Sequence, residues 1–298
     1  MHIRKLGEFG LIERFRRRIR TDSTVIKGSG DDCAVIKFDK NNYLLFTCDM
    51  LVEGVDFLSR ENPYLIGRKS IAVSVSDIAA CAGVPRYCVV SLGVPGNKSV
   101  KFTDTLFKGM LDLARKYKIN IVGGDLSRAE KLTIDVSMLG VVRKERLVLR
   151  KGAKAGDIIF VTGALGGSIR GKHLQFTPRL KEARFLTENF KVHAMIDISD
   201  GLVQDLSHIL KQAGLGAVLY EESIPQDKQA RNLKEALYMG EDFELLFTLS
   251  RPDARKLCLK DRRNFKAIGE TRPPGYGLKS VGKDGRERNI AAGGFRHF

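Results

Sequence analysis

Acidic residues recur at positions flanked by glycine or other small residues: Gly30-Asp31-Asp32, Cys48-Asp49-Met50, Ser76-Asp77-Ile78, Gly124-Asp125-Leu126, Asp197-Ile198-Ser199-Asp200-Gly201 and Gly240-Glu241-Asp242. A single aspartate at a turn often does no more than close an Asx-turn or cap a helix. Several of these, however, adjoin runs that should be buried. Asp49 closes Leu44-Leu45-Phe46-Thr47-Cys48, and Asp77 lies inside Ile71–Ala82. Carboxylates gathered at strand ends repel one another unless cations neutralise them. Oxygen ligands without cysteine or histidine spacing point to Mg²⁺ rather than zinc. Magnesium held by a few carboxylates usually also binds substrate phosphates. Glycines at Gly28, Gly30, Gly123 and Gly124 would let backbone N–H groups approach phosphate oxygens. The chemistry implied is phosphoryl transfer.

A second glycine-rich stretch competes for that role. Gly166-Gly167-Ser168-Ile169-Arg170-Gly171-Lys172-His173 nearly fits a P-loop, but His173 stands where the magnesium-binding hydroxyl belongs. A tight strand-to-helix turn over Gly163–Gly167 is the plainer reading.

Composition narrows the field. The net charge of +16 favours anionic partners such as nucleotides or phosphorylated metabolites. Nucleic acid is a weaker expectation: tryptophan is absent, and the one dense basic cluster is Arg14, Arg16, Arg17, Arg18 and Arg20. The five cysteines form no CxxC pair and read as reduced, mostly buried thiols. No run approaches the ~18 apolar residues of a membrane span, and Met1–Lys5 lead into an amphipathic segment rather than a signal-peptide core. The expectation is a cytoplasmic protein.

Two α/β (α+β) domains should position the acidic residues: 1–148, then 149–298, with a polar hinge over Arg143–Gly156. In the first, a helix over Leu6–Arg20 turns its arginines to water. Strands follow at Cys33–Phe38 and Tyr43–Cys48, then a small-residue helix from Pro63 to about Ala82. Tyr87–Val94, Ile119–Val122 and Leu132–Val142 read as strands and Thr103–Tyr117 as a helix, with Gly123-Gly124-Asp125 as a turn. In the second, strands are expected at Asp157–Thr162, Ala217–Tyr220, Phe243–Leu249 and Phe265–Ile268, and helices near Pro178–Phe190 and Gly201–Ala213.

Six motifs in order, Gly28–Ala34, Thr47–Phe57, Ser76–Ala80, Gly123–Asp125, Ile196–Leu202 and Gly240–Leu245, resemble thiamine-monophosphate kinases. So do the opening Gly7-Glu8-Phe9 and the closing Gly294-Phe295-Arg296-His297-Phe298. The resemblance implies an aminoimidazole ribonucleotide synthetase-like fold. Its N-terminal domain pairs strands across a homodimer, and its C-terminal domain completes the site. It also implies ATP and thiamine monophosphate as substrates, with several Mg²⁺ ions. By motif position Asp32, Thr47, Cys48, Asp49, Asp77, Asp125, Asp197 and Asp200 fall at metal positions. Gly124, Asp125, Arg150 and Ser199 fall at ATP contacts, and Asp56, Glu241 and Phe295 at substrate contacts. Asp77, Asp125 and Arg150 would carry the catalysis. The family pattern usually has histidine where Asp56 stands and a hydroxyl residue where Cys48 stands. A thiol is a poor Mg²⁺ ligand, so Cys48 could serve only through its backbone carbonyl. Two rivals remain: another ATP-dependent enzyme of the superfamily, such as aminoimidazole ribonucleotide synthetase or selenophosphate synthetase, or a basic nucleic-acid-binding protein. The selenophosphate synthetases typically carry a reactive cysteine in a glycine-rich N-terminal segment, and Gly7-Glu8-Phe9 offers none.

Overall fold

In this computed structural model, which describes residues 2–295, the first half runs α1 (Ile3–Arg16), β1 (Val25–Lys27), β2 (Ala34–Lys37), β3 (Asn42–Val52), α2 (Pro63–Ala80), β4 (Val84–Val94), α3 (Val100–Tyr117), β5 (Asn120–Arg128) and β6 (Thr133–Arg143). Its six strands form one sheet in the order β1-β2-β3-β6-β4-β5, antiparallel except for the β4/β5 pair. The second half carries β7 (Ile158–Thr162), α4 (Lys172–Gln175), α5 (Leu180–Asn189), β8 (Val192–Asp197), α6 (Leu202–Ala213), β9 (Gly216–Tyr220), α7 (Leu233–Tyr238), β10 (Leu245–Leu249), α8 (Arg251–Lys260), β11 (Phe265–Arg272), β12 (Leu278–Val281) and β13 (Glu287–Asn289). Its sheet has the order β13-β12-β9-β11-β7-β10-β8, with only β12/β9 parallel.

The helix α2 joins the halves. Asn62 caps it by accepting from Tyr64 N at 2.9 Å, and Pro63 occupies its first turn. It packs on β3, β6 and α3, and on α4, α5 and β8 from the second half. Buried on nearly every side, it cannot be amphipathic, and its small residues permit close approach on each face. A Cβ on Gly67 would lie 1.9 Å from Leu106 O, and one on Gly109 would lie 1.9 Å from Tyr64 O. The α2–α3 crossing therefore requires both glycines.

The second sheet is covered on both faces. Ile159, Val161 and Leu246 pack with Leu202 and Leu206 of α6. Phe160 and Phe247 pack with Leu186 of α5, Leu257 of α8 and Ala79 of α2. Burial on both faces explains why these strands read as continuous apolar runs rather than alternating ones.

Several expectations are corrected. The helix α1 ends at Arg16 rather than Arg20 and is broken at Gly7, where φ is +70°. Gly123-Gly124-Asp125 is not a turn: β5 runs through it as an exposed edge strand to Arg128. Asp49 is likewise mid-strand, because β3 continues to Val52 against the full length of β6. The strands β1, β12 and β13 are too short or too polar to announce themselves by pattern. Arg296–Phe298, the end of the closing motif, lie outside the described residues.

Candidate active site

Strand alternation sorts the acidic residues by face. On β3, Thr47 and Asp49 point towards α2: the Thr47 hydroxyl donates to Asp77 Oδ2, and Ser74 Oγ donates to Asp49 Oδ2 at 2.6 Å. Ser76, also on α2, donates to Asp197 Oδ2 at 2.6 Å at the end of β8. Asp32, from the turn before β2, completes the group, so that one oxygen from each of Asp32, Asp77 and Asp197 lies within 4.8 Å of the others. Arg150, in the segment between the sheets, donates to Asp32 Oδ1 from Nη2 at 2.7 Å, and its backbone N–H donates to Asp31 Oδ1 at 3.1 Å.

These carboxylates sit in mutual repulsion. Burial, then the charge of Asp32, pushes Asp197 up to about 8 despite the Ser76 bond and Arg150. Burial, opposed by the Ser74 bond and reinforced by Asp135, pushes Asp49 up to about 6. Burial, with Asp49, Asp197 and Asp32 adding, holds Asp77 well above the usual carboxylate range. Asp32 Oδ2 is buried without a hydrogen-bond partner. An orphaned oxygen among crowded oxygen donors fits a hard divalent cation, so Asp32, Asp49, Asp77 and Asp197 could hold one or more Mg²⁺ ions.

Beside this group opens a cavity of about 620 Å³, lined among others by Asp49, Val73, Ser199, Asp200, Glu241 and Phe295. Lys69 of α2 anchors its wall. Fully buried, its ammonium donates to Asp56 O at 2.7 Å and forms an ion pair with Glu241. A buried cation needs such partners. Glu241 holds a left-handed backbone with φ of +67°, and its N–H donates to Ser199 O at 2.7 Å, which fixes it over the cavity. The Asp56 carboxylate also lines the cavity, but it accepts from Val52 N at 2.7 Å and so closes its own turn.

Sequence expectation and structure part at four residues. Cys48 projects from the opposite face of β3, with Sγ 3.1 Å from Asp135 Oδ2. Asp125 shares that open face: it pairs with Ser91, which pairs with Asp135, and it belongs to none of the metal-competent groups among the described residues. Gly124 makes its close approach to the Val90 carbonyl, where a Cβ would lie 1.9 Å away. Asp200 stands with Asp205 and His208 rather than with Asp77. The Asp205 carboxylate accepts the N–H groups of Asp200 and Gly201 at 3.1 and 3.0 Å, shaping the turn that follows Asp197.

The glycine-rich stretch after β7 binds carboxylates of its own chain. Gly166 N donates to Asp242 at 3.0 Å, and Ser168 Oγ donates to it at 2.7 Å. Lys172 donates to Ala164 O at 2.6 Å. Donors that would cradle a phosphate are already engaged. Sequence reading gave no site role to Lys69, Ser74, Ser76, Glu61 and His173, and left Asp31 in the acidic set without one. Lys69 left only a weak signal, a charge beside Arg68 in a helix otherwise made mostly of apolar and small residues.

Comparison with known proteins places the whole chain in one family. The family models for AIR synthase related protein match residues 30–142 (N-terminal domain) and 150–277 (C-terminal domain). A thiamine-monophosphate kinase of Buchnera aphidicola subsp. Acyrthosiphon pisum is 36% identical, covering 99% of each chain. One from Bacillus subtilis is 32% identical, covering 98% of this chain and all of its own. The solved structure of AaThiL complexed with AMPPCP and TMP superposes with a TM-score of 0.87 at 30% identity, over all of this chain and 99% of its own.

Proposed function

This chain belongs to the thiamine-monophosphate kinases of the AIR synthase related family, and on that premise we propose that it transfers the γ-phosphoryl group of ATP to thiamine monophosphate, giving ADP and thiamine diphosphate. The observation that carries the reading is the convergence of Asp32, Asp49, Asp77 and Asp197 beside a cavity large enough for a heterocyclic phosphate. Its relative with AMPPCP, an ATP analogue, and TMP bound supports the choice of both substrates.

The acceptor is a phosphate oxygen. With a second pKa near ~6 it is already largely ionised at pH 7, so the site needs no general base. The residues therefore have to align two polyanions and offset their charge. Asp32, Asp49, Asp77 and Asp197 would hold magnesium, which when bound would supply positive charge to offset that of the phosphates. Thr47, Ser74 and Ser76 hold Asp77, Asp49 and Asp197 in their orientations. Arg150, held on Asp32, stands ready to exchange that carboxylate for a phosphate oxygen. Lys69 keeps Glu241 aimed into the cavity, where a carboxylate suits the cationic thiazolium.

A homodimer, with residues 1–148 as the pairing domain, would cover the open face of the first sheet. The support is that Phe46, Met50, Tyr87 and Val89 lie exposed there and β5 has a free edge. Asp125 and Cys48 would then lie at that interface. Five free cysteines, none of them paired in a disulfide, suit a reducing cytoplasm. The test is one assay: purified protein with ATP, Mg²⁺ and a panel of phosphomonoesters, following ADP. Turnover of thiamine monophosphate alone supports the reading; turnover only of another phosphomonoester overturns it.

A further inference from the structure

One wall of the cavity carries two side chains that the reaction above does not use. His173 comes from α4, and Glu61 lies just before the cap of α2; both line the cavity. His173 is 4% exposed, and its Nδ1 lies 2.9 Å from the carbonyl oxygen of Ser168. A carbonyl can only accept, so Nδ1 carries the proton, and in the neutral ring Nε2 presents a lone pair. Burial, with the charge of Lys69, holds this imidazole below its ordinary pKa, while Ser168 and Glu61 pull the other way; the neutral form prevails at pH 7. Glu61 Oε2 accepts from Leu58 N at 2.9 Å, and Oε1 faces His173 Nε2 at 3.7 Å.

Two acceptors therefore face one another with no donor assigned between them. Acceptors so placed lose free energy until a donor reaches them. A primary amine on an aromatic ring supplies two N–H groups from a single nitrogen. Two bonds of about 2.9 Å diverging at ~120° would set the acceptors ~5 Å apart, so the walls need part by only about 1 Å. The same cavity is lined by Val73 of α2 and by Asp49, and along that helix Pro63 to Val73 spans ~15 Å. A ligand with its phosphate at the carboxylates and its ring amine at the far wall would lie along that axis.

We propose that His173 and Glu61 form a specificity site for a ring-borne primary amine. Resting on the functional reading above, that amine is the one on the aminopyrimidine of thiamine monophosphate. Neither residue falls in the six motifs that carry the family resemblance.

The test compares thiamine monophosphate with its 4′-oxo analogue, in which a carbonyl oxygen replaces the amine, using wild type, His173→Phe and Glu61→Gln. Wild type should favour the amine by about 100-fold or more in kcat/KM, because a site built for N–H donors rejects a ligand lacking them. His173→Phe fills the same volume without the acceptor and should raise KM for the amine about 10-fold with kcat held. Glu61→Gln brings an N–H donor that can meet the oxo group, and should narrow the preference at least ~10-fold by improving the analogue. KM for ATP should stay within about 2-fold in both variants. A purely structural pair would not shift the choice between amine and oxo. An unchanged preference in Glu61→Gln, with wild type turning over thiamine monophosphate, overturns this inference alone. No turnover of thiamine monophosphate by wild type overturns the functional reading itself.

Discussion

Replacing Asp197 with asparagine should make the metal-free protein more stable while removing most of its turnover. Asp197 is 3% exposed, and its pKa rises from 3.8 to about 8. A carboxyl whose folded pKa lies above its unfolded value takes up a proton on folding. Its contribution is therefore unpenalised below the unfolded value of 3.8 and deteriorates as pH rises through the window from 3.8 to about 8. At pH 7 the folded chain carries a penalty of up to about 4 kcal/mol, from roughly three pH units at ~1.4 kcal/mol each. Asparagine keeps an oxygen to accept from Ser76 Oγ and cannot ionise, so it escapes that penalty. Urea melts in EDTA should match at about pH 4 and diverge in favour of the variant towards pH 8, by a few kcal/mol. Excess Mg²⁺ should then recover stability for wild type and much less for the variant, by mass action on the native state. If the variant in EDTA is less stable at every pH, then Arg150 already balances Asp197, and the argument from carboxylate crowding fails.

Three further outcomes follow from the same geometry. Asp77→Asn should cut kcat about 10²–10³-fold, the loss of ~3–4 kcal/mol of charge stabilisation, while its melting temperature in EDTA is no lower than that of wild type. Lys69→Met should destabilise by about 3–5 kcal/mol, because Glu241 is left without its cation, and should raise KM for thiamine monophosphate more than KM for ATP; an equal rise in both would show that the pair only clamps the two halves. Light scattering should give the mass of a dimer, and Val89→Arg on the open sheet face should give a monomer that retains its helix content.

Much of this protein can be read from its residues. Pro63 and the small-residue run to Ala80 announced α2 nearly to the residue, because a proline at the first helical turn and a stretch of small and apolar residues without a further proline are local signals. Asp49 and Asp77 were legible because each adjoins a run that must be buried, and burial makes a carboxylate costly without a partner, whereas Asp32 and Asp197 were joined to them only by the resemblance to a known family. The fold followed from the order of the motifs. What sequence could not settle was the face on which each side chain emerges. Thr47, Cys48 and Asp49 read as one motif, yet alternation along β3 sends Thr47 and Asp49 towards α2 and Cys48 away from it. Gly123-Gly124-Asp125 reads as a turn until β4 supplies the partner that keeps it extended. Lys69 with Glu241, and Glu61 with His173, lie 172 and 112 residues apart in sequence. Such pairs leave no local trace, because each contact exists only once α2 is buried between the two sheets.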